Sequence, residues 1–101
     1  MATEDKIAFG VLKIAAAHPN GLASHRRIRS ELPKVVNLNA ADLAPSQTRK
    51  GEQMWHQIVR NIKSHDKTPG NYIYEGLLEH VPRVGYRITA AGRLRLQAKA
   101  S

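Results

Sequence analysis

The stretch Leu77-Leu78-Glu79-His80-Val81-Pro82-Arg83-Val84-Gly85-Tyr86-Arg87-Ile88-Thr89 decides how the rest of the chain is to be read. It holds two short β-compatible segments, Leu77 to Val81 and Tyr86 to Thr89, separated by Pro82, Arg83, Val84 and Gly85. Proline presets one bend and glycine tolerates the other, so the stretch reads as a hairpin with Arg83 at its tip.

Immediately upstream is the clearest helical pattern, from Arg49 or Gly51 to Ser64. At 100° per residue, Met54, Trp55, Ile58, Val59 and Ile62 gather on one side, which makes Trp55 a core residue and not a base-stacking platform. Lys50, Gln53, Gln57, Arg60 and Ser64 fall on the other side, a face that is polar, rich in donors and free of carboxylates. The run from His65 to Asn71, with Thr68, Pro69 and Gly70, ends this helix in a loop. Tyr72, Ile73 and Tyr74 fit either a strand or an extra helical turn.

Farther out, Glu4 to His18 repeats Ile7, Val11, Leu12, Ile14 and Ala15 near helical spacing, with Glu4 and Asp5 at the favourable positive end. Pro19, Asn20 and Gly21 stop that helix. Leu22 and Ala23 can form a two-residue extended segment that pairs with the later hairpin. Ser24 is a good N-cap for a second helix that turns Ile28, Leu32 and Val35 inward and carries Arg26, Arg27 and Arg29 elsewhere on its surface. Pro33 limits its regular part. Asn37 to Gln47 is an irregular connection in which Ala40 to Leu43 forms one turn before Pro45. Beyond the hairpin, Thr89 caps a last helix, Ala90 to Ala100, with Leu94 and one other apolar side chain inward.

The order is therefore helix, short extended segment, helix, connection, helix, hairpin, helix. Three helices, a C-terminal β-hairpin wing and a final short helix are the parts of a winged helix-turn-helix, an α+β fold, expected here as one domain over residues 1–101. In that architecture the third helix enters the major groove and the wing lies on the flanking backbone.

Charge points the same way. Sixteen Lys and Arg against eight Asp and Glu give a formal net charge of +8, which attracts a polyanion. No acidic residue follows Glu79, whereas Arg83, Arg87, Arg93, Arg95 and Lys99 do, so the C-terminal part is a basic surface. A chain of 101 residues with 42% apolar content fills one core and leaves little for a deep substrate cleft. The absence of cysteine removes disulfides, thiolate zinc sites and a Cys nucleophile, and fits a reducing cytoplasm. Ile7 to Ala17 is interrupted by Lys13 and too short to span a bilayer, so neither a signal peptide nor a membrane partner is expected.

The same residues resemble a known family: the winged-helix domain found ahead of the nuclease in Mrr-type restriction endonucleases, and related small bacterial domains. The resemblance covers roughly Leu38 to Leu96. It rests on Pro45-Ser46 before the third helix, Trp55 within it, the strand entry Gly76-Leu77-Leu78-Glu79, and above all Gly85-Tyr86-Arg87-Ile88-Thr89-Ala90-Ala91-Gly92-Arg93. Such domains pass quickly from helix to strand, whereas this chain inserts His65 to Tyr74. No nuclease domain follows, so the resemblance implies recognition of DNA without cleavage by this chain.

The candidate contacts to double-stranded DNA follow. Gln53, Gln57, Lys50 and Arg60 can reach base edges, since glutamine pairs bidentately with adenine and arginine with guanine or phosphate. Ser46, Thr48 and Arg49 near the helix start can hold a phosphate through backbone N–H groups and side chains. Arg83 and Arg87 suit backbone or minor-groove contacts from the wing, and Arg26 and Arg27 suit phosphate at the start of the second helix. Tyr72, Tyr74 and Tyr86 are expected at the hairpin surface, without the paired aromatics of single-strand readers.

No catalytic residue, metal or cofactor is expected. The five histidines show no three- or four-residue pair. Glu4-Asp5-Lys6 and Gln97-Ala98-Lys99 match a nuclease-like acid-or-Gln, any residue, Lys fragment, but on terminal helical patterns and not on a strand. The expected role is a small regulator or a recognition subunit, alone, as a homodimer or with a partner protein. The alternative is a protein–protein adaptor, which should expose an apolar patch around Tyr72 to Tyr74 and Leu77.

Overall fold

A computed structural model describes residues 2–100 of the chain. The first helix, α1 (Glu4–Ala16), is capped by Thr3, whose hydroxyl accepts the Lys6 N–H at 3.2 Å, and it carries Glu4 and Asp5 at its positive end. Ile7, Ala8, Val11, Leu12, Ile14 and Ala15 are all buried, so more than one side of α1 is covered and it forms the axis on which the other elements pack. It ends two residues short of His18, because the chain turns through a 3-10 segment at Pro19–Gly21 in which Asn20 has φ 62°.

The extended segment foreseen at Leu22 is a strand, β1 (Leu22–Ser24), and Ser24 caps the next helix, α2 (His25–Val35), accepting the Arg27 N–H at 3.1 Å. Pro33 does not shorten α2; it lies in the last turn, where the helix runs on to Val35. Ile28 and Leu32 are buried as expected, but Val35 is 40% exposed because it stands at the helix end, beyond the core. A single turn, α3 (Ala40–Leu43), follows. The buried Asp42 carboxylate accepts the N–H groups of Asn39 at 3.0 Å and Ala2 at 2.9 Å, which ties this connection to the start of the chain.

The next helix, α4 (Met54–Ser64), buries Trp55, Ile58, Val59 and Ile62 on one side. It starts later than the periodicity suggests. Gly51 has φ +81°, a left-handed conformation that a helix cannot contain, and Pro45 and Gln53 form an isolated antiparallel bridge across the turn between them. The insertion after α4 is organised by the buried Asn71. Its amide nitrogen donates to the Ile62 carbonyl at 2.9 Å, and its oxygen accepts the N–H groups of Ile73 at 2.8 Å and Tyr74 at 3.1 Å. Residues 72–76 are a turn, not a strand.

The hairpin comprises β2 (Leu78–Val81) and β3 (Gly85–Ile88), each within one residue of the sequence reading. With β1 they form an antiparallel sheet in the order β1-β3-β2, in which Ser24 faces Gly85 and Val81 faces Gly85 from the other side. Gly85 has to be glycine at this crossing: a Cβ there would lie 2.0 Å from the Ala23 carbonyl oxygen. The last helix, α5 (Ala90–Ala100), follows; Leu94 is 67% exposed, against expectation, and Leu96 packs on the core instead. The result is an α+β fold with a radius of gyration of 12.8 Å, about what one closed core of this length gives. Among the described residues, no helix is long and apolar enough to cross a membrane.

Candidate nucleic-acid interface

The start of α2 and the hairpin tip meet. Because Ser24 pairs with Gly85, the chain leaves β1 beside the turn, and the His25 N–H donates to the Val84 carbonyl at 2.8 Å. Pro82 and Arg83 are the central residues of that turn, closed by a bond from the Val84 N–H to the Val81 carbonyl, and Arg83 has φ 66°. Arg26 and Arg83 are exposed and make no hydrogen bond or ion pair among the described residues. Arg27 is engaged: its guanidinium donates to His18 Nδ1 at 2.7 Å, and Glu31 lies 3.1 Å from the same imidazole and 3.6 Å from Arg27. Arg87 pairs across the strands with Glu79 at 3.3 Å.

On α4 the outward side chains interlock. Gln57 donates to Asn61 at 2.9 Å and accepts from Arg60 at 2.8 Å. Arg60 in turn donates to Glu52 at 2.6 Å, and Arg29 of α2 reaches the other oxygen of the same carboxylate at 2.8 Å. The face read as free of carboxylates therefore carries one at its rim. Glu52 was missed because it sits before α4, eight residues from Arg60 and twenty-three from Arg29, so neither pair has a helical spacing. The hydrogen bond from Arg60 holds its carboxyl below the usual glutamate range, with the charges of Arg60 and Arg29 adding to the effect.

The remaining candidates lie ahead of the helix. Arg49 and Lys50 stand in the turn before α4, not on its face, with exposed side chains that make no hydrogen bond or ion pair among the described residues. Ser46 and Thr48 belong to the same turn; the Ser46 hydroxyl accepts the N–H groups of Thr48 at 3.3 Å and Arg49 at 3.1 Å, so those donors are already used. Gln53 is the N-cap residue of α4, and its side-chain oxygen accepts the Trp55 indole N–H at 2.8 Å, which faces it toward the core side.

Between α2 and α4 lies a cleft of about 240 Å³ lined by His25, Arg29, Arg49, Glu52, His56 and Arg60 over Ile28, Trp55 and Val59. His56 Nδ1 accepts the Gln53 N–H at 3.3 Å. Burial lowers the His56 pKa, helped by Arg29 and Arg60 and opposed by Glu52; burial also lowers that of His25, with His80 and Arg29 contributing. Both imidazoles are thus held neutral near pH 7 in a wall of guanidinium groups.

Two tyrosines depart from expectation. Tyr86 and Tyr72 are buried, 1% and 2% exposed, and only Tyr74 is at the surface. Tyr86 packs edge-on to His25 and donates to the Val59 carbonyl at 2.7 Å, which fixes the hairpin to α4. Of the residues expected to form an apolar patch here, Tyr72 and Leu77 are buried and Tyr74 is 53% exposed. Among the described residues there is no group of three or more side chains suited to a metal ion. Comparison of the chain with models of known families, with curated proteins and with solved structures returned no match.

Proposed function

We propose that this chain is a winged-helix module that binds double-stranded DNA, with α4 in the major groove and the β2–β3 hairpin as the wing. The observation that carries this reading is the bond between the His25 N–H and the Val84 carbonyl, which fastens the hairpin tip to the start of α2. It brings the unpaired Arg26 and Arg83 to one edge, while the cleft beside them leads through Arg29, Arg49 and Arg60 to Gln57. The sheet order β1-β3-β2, with β1 preceding α2 and the hairpin following α4, supports the same architecture. In this reading Arg26, Arg49, Lys50 and Arg83 meet phosphates, and Gln57 and Arg60 face base edges. The resemblance to the modules ahead of Mrr-type nucleases, carried by Gly85 to Arg93, supports a recognition role.

A fluorescence titration with random duplex DNA, single-stranded DNA and double-stranded RNA at two salt concentrations tests this. Duplex DNA should bind most tightly and lose affinity steeply as salt rises, because counterions are released from the phosphates. Arg26→Ala should weaken every duplex alike and flatten the logarithmic salt slope by about one unit. Gln57→Ala should remove about 1–3 kcal/mol of discrimination at one base position of a selected site. Equal, salt-insensitive binding of all three polymers, or none, would sink the proposal.

A further inference from the structure

We infer that Glu52 is a specificity-determining residue: by holding Arg29 and Arg60 it withholds them from phosphate and so suppresses sequence-blind binding. This rests on the duplex-binding reading above. Two guanidinium groups, from α2 and α4, converge on the two oxygens of this one carboxylate at 2.8 and 2.6 Å. The Glu52 side chain is 12% exposed, while Arg60 is 26% and Arg29 53% exposed, so the Arg60 contact is the better shielded of the two and the Arg29 contact is open to water. Each guanidinium already has a carboxylate oxygen, and not a phosphate, as its charged acceptor.

The chemistry of the two kinds of DNA acceptor then differs. A phosphate is an anion, and to approach Arg60 or Arg29 it must displace the carboxylate or bear its repulsion. A base edge is neutral. Arginine has five N–H donors in a planar fork; Arg60 directs one at Glu52 and one at Gln57, leaving others for a neutral acceptor pair. Glu52 thus penalises the backbone contact more than the base contact, and it holds the fork still while doing so. Backbone attraction is left to Arg26, Arg49, Lys50 and Arg83, which have no acidic partner among the described residues.

The test compares the parent with Glu52→Gln on random duplex and on a duplex enriched from a random pool by the parent protein. Glu52→Gln should tighten random duplex about five- to tenfold at low salt and steepen its salt slope by about one unit. The enriched duplex should gain less, so the ratio between the two shrinks. Arg29→Ala should leave the salt slope of the parent almost unchanged, yet lower that of Glu52→Gln by about one unit. Unchanged random-duplex binding by Glu52→Gln, with thermal melting showing it folded, overturns the inference. So does a full one-unit loss of slope for Arg29→Ala in the parent, a result that does not depend on the Glu52 variant folding. If the parent binds no duplex at all, it is the duplex-binding reading that has failed, and the two failures are told apart by that first titration.

Discussion

At the scale of single residues, Arg83 is the most telling position. It is not glycine, yet it has φ 66° at the second central position of the turn after Pro82, where the type II pattern favours glycine or asparagine. A side chain in the left-handed region costs roughly 1–2 kcal/mol, and such costs persist where another use offsets them. Arg83→Gly should therefore keep stability or raise it by up to about 1 kcal/mol, since relief of strain is partly cancelled by the freer unfolded chain. The same change should weaken all duplexes alike. Urea unfolding and the salt titration read the two effects separately; a loss of stability would show that the arginine side chain itself supports the turn, and weakening confined to one sequence would make the tip a base reader. Glu52 is the opposite case at this scale: nothing in its local sequence distinguishes it, and only the approach of α2 to α4 gives it two partners.

At the scale of elements, two buried tyrosines, Tyr86 in the hairpin and Tyr72 in the turn before it, have hydroxyls with different fates. The Tyr86 hydroxyl donates to the Val59 carbonyl in the core, whereas the Tyr72 hydroxyl is buried with no partner among the described residues. Burial raises the pKa of both to about 12, so both are neutral donors at any ordinary pH. Tyr86→Phe should then cost about 1–2 kcal/mol, while Tyr72→Phe should be neutral or slightly stabilising, because it removes an unsatisfied polar group. Equal losses in chemical denaturation would mean that the two hydroxyls are equivalent. Most elements were legible beforehand because their apolar periods are strong: the inward face of α4, the buried run of α1, and the hairpin to within a residue. The pairing of β1 with β3 was legible only as an option, since so short a strand has no period. What failed did so for identifiable reasons. Gly51 breaks the helix that the pattern extends to Lys50 and Arg49, Leu94 lies on a face of α5 that no described residue covers, and Tyr72 and Tyr86 are drawn inward by a core that periodicity in their own segments does not reveal.

At the scale of the whole molecule, charge and pH act through the cleft shared by α2 and α4. His25 and His56 have folded-state pKa values below 6.5, the ordinary value kept in the unfolded chain. Between the two values the unfolded chain binds more protons, so folding stability rises with pH across that window. Acidification from about pH 7 to about pH 5 should accordingly lower the melting temperature, and a further fall should follow below 4.5 as Glu52, whose pKa is depressed, takes up its proton and releases the two arginines. A melting temperature that does not change between about pH 7 and pH 5 would contradict the first step. The candidate site was legible as a set of positive residues, and the four-residue spacing of Arg27 and Glu31 was open to view, but the pairing of Arg29 and Arg60 was not, because Glu52 lies outside both helices and meets them only where α2 approaches α4. One last consequence concerns light. The chain has a single tryptophan, and it lies at the floor of this cleft, 1% exposed, with the His56 ring edge-on at 4.2 Å. An indole so shielded from water emits toward the blue, and a protonated imidazole against it quenches that emission. The brightness of Trp55 should therefore follow the charge on His56, an optical readout that needs no added label.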